Sequence, residues 1–206
     1  MTGTGDRAHW DEVYESRDEG AVSWFQSEPQ PSLELIERHG GGKAASVIDI
    51  GGGASRLAEA LLASGYRDLS ILDISEAALA RTRKRLASLA DRVGFIVADV
   101  TTWKPARHWD VWHDRAVMHF LVSESGQAAY RRAMLAATVP GSVAIIGTFA
   151  PDGPERCSGL PVRRWSADDL LDFFAPEFSL LDTRRHRHET PGGGTQSFEF
   201  AVLRRV

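Results

Sequence analysis

Apolar residues recur along the chain in two patterns, short continuous runs and stripes at helical spacing. The runs are typical of buried strands and cover residues 46–50, 69–73, 94–98, 110–113 and 142–149. Between them, helical spacing predicts helices over residues 54–64 and 127–138. A third predicted helix is capped by Ser75, and its core-facing stripe consists of Leu79, Leu86 and Leu89. Strands that alternate with helices predict βαβ units and a parallel sheet with right-handed crossovers.

The two ends of the chain depart from this alternation. Ser166 to Asp169 resembles a capping box that opens a short helix through Phe174. Two strand-like runs over 178–185 and 196–203, joined through Pro-Gly-Gly-Gly at 191–194, predict an antiparallel hairpin at the sheet edge. Residues 1–40 carry aromatics but no strand pattern, which predicts a helical cover.

These elements predict an α/β, doubly wound (Rossmann-like) fold. It has a seven-stranded mixed sheet, a C-terminal antiparallel hairpin and an N-terminal helical cover. We expect a single domain over residues 1–206, in which residues 1–40 form the cover, or lid, and residues 45–206 form the ligand-binding core.

Composition narrows the class of protein. The 206 residues are 43% hydrophobic and 25% charged, which excludes wholesale disorder. The net charge of −4 argues against a nucleic-acid partner. The single cysteine, Cys157, excludes an internal disulfide and a multi-cysteine zinc site, and we expect no metal. Because no apolar run has the length of a signal or a membrane span, we expect a cytoplasmic protein without a membrane partner.

A glycine-rich loop, Gly51-Gly52-Gly53, follows Asp49-Ile50 at the point where the first predicted strand passes into a helix. Glycine there allows a tight turn and the close approach of a ligand. Ser55 replaces the third glycine of the dinucleotide fingerprint, and Asp49 would repel a phosphate. The loop therefore favours a ligand with a cationic amine, the alternative being an ordinary turn.

Two further carboxylates follow the second and third predicted strands. Asp73 is placed to accept hydrogen bonds from ribose hydroxyls, and Asp99 to accept one from an adenine amino group. Either residue alone is more often a turn or cap residue. Together with Asp49 they lie at the crevice where the carboxyl ends of parallel strands meet, and this indicates a nucleoside ligand.

In this order and spacing, Asp49 to Gly53, Asp73 and Asp99 resemble the class I S-adenosylmethionine-dependent methyltransferases. The pair Trp10 and Tyr14 and the run Val-Ser-Trp-Phe-Gln at 22–26 resemble a subset of small bacterial members. The resemblance implies S-adenosyl-L-methionine as cofactor and S-adenosyl-L-homocysteine as product. It implies that the methionine part lies against Asp49, Gly51 and Gly53, the ribose against Asp73, and the adenine against Ile74, Asp99 and Val100.

The aromatic residues of the predicted cover are candidates for a lid over the cofactor. Trp10 and Tyr14 are four positions apart and share a helical face, and Trp24 lies in an irregular stretch. Aromatic rings shield a sulfonium and attract it through their faces. The alternative is a hydrophobic contact that packs the first helix onto the sheet.

The polar residues after the fourth predicted strand are the candidates for catalysis. Methyl transfer needs alignment, and it needs a base only if the acceptor is protonated. We predict Asp114 and His119 as candidate bases, and His113 as a contact to the amino-acid end of the cofactor. The alternatives are that Asp114 and Arg115 pair or cap the next helix, and that His119 is a core residue. The loop at 148–162 is expected to border the acceptor site.

We therefore predict methyl transfer from S-adenosylmethionine to a sulfur, nitrogen or oxygen atom of a small-molecule acceptor. The length leaves little chain for a macromolecular docking domain. A protein-lysine methyltransferase and a non-catalytic S-adenosylmethionine-binding module remain as alternatives. A nicotinamide oxidoreductase is disfavoured because the third glycine is absent.

Overall fold

A seven-stranded mixed sheet forms the centre of the computed structural model, which describes residues 6–206. Residues 1–5 of the predicted cover lie outside the described residues. In chain order, the strands are β1 (Ser46–Ile50), β2 (Asp68–Asp73), β3 (Val93–Val97), β4 (Val111–Arg115), β5 (Val143–Phe149), β6 (Arg156–Cys157), β7 (Leu160–Pro161), β8 (Phe178–Glu189) and β9 (Thr195–Arg205). The two short strands β6 and β7 form a separate hairpin, and the other seven form the sheet.

The strand order is β3-β2-β1-β4-β5-β9-β8. The first five strands pair in parallel, whereas β9 pairs antiparallel with both β5 and β8. The order reverses between β1 and β4, which opens a crevice at the carboxyl ends of these strands. The predicted fold class, including the terminal hairpin at the sheet edge, is confirmed.

Helices cover both faces of the sheet: α1 (Arg7–Ser16), α2 (Ser32–His39), α3 (Leu57–Ala63), α4 (Glu76–Leu86), α5 (Glu124–Ala137) and α6 (Ala167–Phe174). Their starts follow from polar caps. The Ser75 hydroxyl accepts a hydrogen bond from the Ala78 N–H, and Ser166 and Asp169 form the predicted capping box.

The sheet separates two hydrophobic clusters. One contains Leu35, Leu61 and Tyr66 with the aromatic rings of β9, and the other contains Trp112 and Tyr130. The described part of the cover, residues 6–40, contains helices and no strand, as expected.

One predicted core position is wrong. Leu89 is 42% exposed, because α4 ends at Leu86 and Ala87 adopts a positive φ of 49°. The reversal at Ala87 starts a 3-10 helix over Ala87–Arg92 and turns the predicted apolar stripe away from the sheet. Leu79 and Leu86 are buried as predicted.

Hydrogen bonds from α4 hold the cover in place. The Ser75 hydroxyl donates to Asp11 of α1 at 2.6 Å. The Arg81 guanidinium donates to the carbonyl oxygens of Tyr14 and Arg17. Further along the helix, Arg85 pairs with Glu19 at 2.8 Å. The cover is thus fixed to the helix that follows β2.

The junction of β5 and β9 has no room for a methyl group at Gly147. A Cβ atom there would lie 2.4 Å from the buried Phe200 ring. We expect Gly147→Ala to lower the free energy of unfolding by about 1–3 kcal/mol, as overpacking does. Urea denaturation measures the change.

Gly192→Ala is the matched control, because a Cβ there meets nothing closer than 4.0 Å. An equal loss of stability in both variants would contradict the steric explanation.

Candidate cofactor and acceptor site

Two adjoining cavities lie at the carboxyl ends of the parallel strands, beneath the cover. The first cavity, of about 820 Å³ including space open to solvent, is lined by Trp10, Tyr14, Trp24, Ile50, Gly51, Leu72, Asp73, Ile74, Ala98, Asp99, Val100, Arg115, Ala116, Val117, Phe120, Leu121 and Cys157. The second cavity, of about 610 Å³, is lined by residues that include Asp49, Gly51, Gly52, Ser55, Arg56 and His113. Tyr14, Trp24, Gly51 and Arg115 line both.

The glycine-rich loop is tightly packed against the carboxylates beside it. Gly51 adopts a φ of 68°, and a Cβ at Gly53 would lie 2.5 Å from an Asp73 oxygen. A Cβ at Gly52 would lie 2.3 Å from an Asp49 oxygen. The close approach explains why side chains are excluded here. Gly51 borders both cavities, whereas Gly53 lies behind Asp73 and is not among their lining residues.

A buried hydrogen-bonded pair of side chains, Asp49 and His113, lies at the end of β1. His113 on β4 is opposite Asp49 in the parallel register, and its Nδ1 is 2.7 Å from the Asp49 Oδ1. The His113 Nε2 is buried and has no hydrogen-bond partner among residues 6–206. Both residues line the second cavity, the place expected for the amino-acid end of the cofactor.

Asp73 ends β2 and lines the first cavity with Ile74. Its carboxylate accepts a hydrogen bond from the Ser75 N–H at 2.8 Å. Burial, with a smaller contribution from the negative charge of Asp49, raises the pKa of Asp73 to about 7. The carboxylate is therefore close to its titration point at neutral pH.

Asp99 and Val100 lie beyond the end of β3 on the far side of the first cavity. The Asp99 carboxylate accepts hydrogen bonds from the Thr101 N–H at 2.8 Å and from the Thr101 hydroxyl at 2.7 Å. These bonds fix the carboxylate, while the apolar side chain of Val100 contributes a flat wall suited to an adenine ring.

The aromatic residues of the cover both pack and line the cavity. Trp10 makes edge contacts with Phe120 at 5.1 Å and with Trp24 at 6.0 Å between ring centroids. Tyr14 meets Trp24 at 6.2 Å. Burial, reinforced by the charge of Asp73, raises the pKa of Tyr14, so its hydroxyl is neutral. These residues therefore pack the first helix onto the sheet and also line the cavity, so the two alternatives given for them are compatible.

Asp114 is not placed as a base, contrary to expectation. Its side chain is 0% exposed and is absent from the lining of both cavities. The carboxylate accepts hydrogen bonds from the Val117 and Met118 N–H groups and from the Tyr130 hydroxyl, the last at 2.6 Å. Asp114 therefore caps the 3-10 helix Met118–Phe120, which was the alternative.

His119 is likewise a core residue and does not line either cavity. Its ring packs between Phe120 and Phe149, and its Nδ1 accepts a hydrogen bond from the Phe149 N–H at 3.3 Å. Burial, followed by the charge of Arg115, lowers the pKa of His119 to about 3. A neutral histidine of such low basicity is a poor proton acceptor, and the prediction of a base here is corrected.

Sequence reasoning gave too little weight to Arg115 and Cys157, which border the first cavity in place of the two candidate bases. Arg115 ends β4, and its guanidinium donates to the carbonyl oxygen of Trp24 at 3.0 Å. Burial raises the pKa of the Cys157 thiol to about 11, so the thiol is protonated at neutral pH. The signal for Arg115 was its position directly after the fourth strand.

Residues 6–206 hold neither a cluster of metal ligands nor a helix suited to span a membrane. No group of three or more histidine, cysteine, aspartate or glutamate side chains in that range is arranged to hold a metal ion. No helix within it has the length and apolar character needed to cross a bilayer.

The corrected role of Asp114 leads to a prediction about stability. Asp114→Asn turns an amide donor towards groups that already donate, so we expect a loss of about 1–3 kcal/mol in the free energy of unfolding. Tyr130→Phe removes a single donor and should cost less. A variant that keeps its stability but loses turnover a hundredfold would restore Asp114 as a base.

Comparison with known proteins agrees with this geometry. Residues 47–141 match a family model described as a methyltransferase domain. The mouse eEF1A lysine and N-terminal methyltransferase is 24% identical over 129 residues, which are 62% of this chain. The chain spans only 18% of the length of that curated relative.

Solved structures share the whole fold at low identity. The Burkholderia thailandensis 1,6-didemethyltoxoflavin-N1-methyltransferase was solved with bound 1,6-didemethyltoxoflavin and S-adenosylhomocysteine. It is 22% identical with a TM-score of 0.73, over 97% of this chain and 87% of that chain. The N-methyltransferase NodS of Bradyrhizobium japonicum, solved with S-adenosyl-L-homocysteine, is 14% identical with a TM-score of 0.74, over 97% and 99%. Residues 47–141 are therefore similar to a methyltransferase domain, and the chain shares its fold with solved methyltransferases.

Proposed function

We propose that the protein transfers the methyl group of S-adenosylmethionine to a sulfur, nitrogen or oxygen atom of a small-molecule acceptor. The observation that carries this proposal is the set of carboxylates Asp49, Asp73 and Asp99. They lie at the carboxyl ends of β1, β2 and β3 and border two cavities that share one wall. Three acidic groups at one crevice suit the ammonium, ribose hydroxyls and adenine amino group of a single extended ligand.

The first cavity takes the adenosine part of the cofactor. Asp73 accepts hydrogen bonds from the ribose hydroxyls, while Ile74 and Val100 pack against the adenine and Asp99 accepts from its amino group. The cavity is lined mostly by apolar side chains with a few polar groups, as small-molecule sites usually are.

The second cavity takes the methionine part. Asp49 attracts the ammonium group, and its bond to His113 fixes the orientation of both side chains. Gly51 lines this cavity and lets the cofactor approach the backbone, while Gly53 acts only indirectly, because its missing side chain leaves room for the Asp73 carboxylate. The donor set present in the chain therefore fits the cofactor.

Transfer depends on alignment and on the exclusion of water. When bound, the cofactor supplies a methyl group on a positively charged sulfur. Trp10, Tyr14 and Trp24 cover the place where the two cavities meet, and their ring faces attract the positive charge. The apolar wall formed by Val117, Phe120 and Leu121 removes water from the acceptor, so its lone pair attacks without a hydration shell.

A small acceptor is favoured because residues of the cover and Cys157 of the 148–162 segment border the first cavity, and because a structural neighbour is a 1,6-didemethyltoxoflavin methyltransferase. A protein-lysine acceptor is the second candidate, supported by the similarity to the eEF1A methyltransferase. We propose that residues 1–206 act as one domain in the cytoplasm, where a single unpaired cysteine such as Cys157 stays reduced.

Cofactor binding is tested by calorimetric titration with S-adenosylhomocysteine. We expect Asp73→Asn to weaken binding by about 5- to 150-fold, which corresponds to the loss of a charged hydrogen bond of about 1–3 kcal/mol. Asp91→Asn, on an exposed residue after α4, is the control and should leave the affinity unchanged. Equal affinity in all three proteins would contradict the ribose role of Asp73.

The pKa of Asp73 adds a pH dependence. Ribose hydroxyls donate to the ionised carboxylate, so binding of S-adenosylhomocysteine competes with the proton held at pKa about 7. We expect the affinity of the wild-type protein to rise from about pH 6 to about pH 8 and then level off. Asp73→Asn should flatten this profile, and an identical slope in the variant would assign the titration to another group.

The methyl-transfer activity itself is tested with labelled S-adenosylmethionine. Pools of small thiols, amines and acids are compared with cell-extract proteins under the same conditions. Label on a small molecule supports the proposal, whereas label only on protein supports the lysine methyltransferase. Tight cofactor binding without any labelled product supports the non-catalytic binding module.

A further inference from the structure

Arg115 carries a charge that no side chain of residues 6–206 neutralises by direct contact. Its Nη1 donates to the Trp24 carbonyl, and its guanidinium carbon lies 4.7 Å from the centre of the Phe198 ring. The Nε and Nη2 atoms are buried and have no hydrogen-bond partner in the described chain. Burial lowers the pKa of Arg115 to about 10, which leaves the group ionised at neutral pH.

The guanidinium lies on the acceptor side of the site. It stacks on Phe198 of β9, beyond β5, and it borders the first cavity together with Cys157, which follows β5. In the proposed methionine subsite, Asp49 is already bonded to His113. Arg115 borders this second cavity as well, so the carboxylate of the cofactor competes with the acceptor for the guanidinium.

An unpaired buried cation is costly, and so are buried donors without acceptors. The cost grows when the cofactor brings a second positive charge, the sulfonium, into the same water-poor space. A negatively charged acceptor between the two cations removes both penalties. It also receives two hydrogen bonds from the free guanidinium nitrogens.

Among the described side chains that line the first cavity, none is a free base for a neutral acceptor, since Asp99, like Asp73, is assigned to the cofactor. His113 lines the second cavity, where its ring is bonded to Asp49. Asp114 and His119 are enclosed in the core, and Asp73 faces the proposed ribose. The Tyr14 hydroxyl and the Cys157 thiol both hold their protons at neutral pH. The acceptor therefore has to enter the site already deprotonated, as an anion.

We propose that Arg115 is the acceptor-binding residue and that the acceptor is a small acid, methylated on the sulfur of a thiolate or the oxygen of a carboxylate. This inference rests on the proposed function. The anion's lone pair forms the new bond to the methyl carbon as the bond from that carbon to the sulfonium sulfur breaks. The electron pair stays on the sulfur, giving neutral S-adenosylhomocysteine and a neutral thioether or ester, and no proton moves.

The first test uses the wild-type protein saturated with S-adenosylhomocysteine. Calorimetry compares a panel of small carboxylic acids, including benzoate, with their neutral amides, including benzamide. We expect at least one acid to bind about tenfold or more tightly than its amide. If no acid in the panel is preferred, the inference is overturned. Failure of S-adenosylhomocysteine itself to bind would instead reject the proposed function.

The second test removes the charge. Arg115→Gln should abolish the preference for the acid, and Arg115→Lys should retain part of it, while both variants keep their affinity for S-adenosylhomocysteine within about threefold. Arg132→Gln, on an exposed position of α5, is the matched control. If Arg115→Gln loses cofactor affinity but keeps the acid preference, the guanidinium binds the cofactor's carboxylate and the inference is wrong.

The third test is turnover with labelled S-adenosylmethionine. Thiols and carboxylic acids should be methylated, and wild-type activity should exceed that of Arg115→Gln by about tenfold or more through KM for the acceptor. Methylation of neutral amines alone, with equal activity in wild type and variant, would overturn the proposal.

Discussion

Buried negative charge at the carboxyl ends of β1, β2 and β4 is the constraint on which the site depends. Asp49, Asp73 and Asp114 are each less than a tenth exposed. A buried carboxylate is costly unless it is hydrogen-bonded, so each of the three needs a partner. The chain gives each a different one: a histidine ring, a backbone N–H, and a helix start with a tyrosine hydroxyl. Only Asp49 and Asp73 border a cavity, so only these two are available to a ligand.

The glycine loop and the cover follow from that constraint. Side chains at Gly52 and Gly53 would collide with the carboxylates, so the loop has to pass close to them as bare backbone. The same α4 cap that donates to Asp73 also bonds Asp11 of the cover. A single turn of chain thus fixes a carboxylate and the aromatic roof above it.

The sequence was sufficient for the sheet and for the carboxylates after β1 to β3, because strand ends can be read from the pattern alone. The roles of the residues at the end of β4 depend, in addition, on which face of the sheet each side chain points to. Successive strand residues point to opposite faces, so Trp112 and Asp114 face α5 while His113 and Arg115 face the cover. The large apolar Trp112 already marked the buried face and, by alternation, assigned Asp114 to the core. No local pattern revealed that Phe149 encloses His119, since that contact joins distant parts of the chain.

The edge strand β8 has a consequence for how the protein behaves in concentrated solution. An unpaired sheet edge is a template for intermolecular strand pairing and aggregation. Along β8 the chain places Arg184, Arg185 and Arg187, and the register slips between Leu180 and Asp182. Arg184 is paired with Glu34, and Arg185 is paired with Asp152 and Glu199. A second edge strand could pair with β8 only by desolvating these charged side chains on an irregular backbone, and this opposes aggregation through the edge.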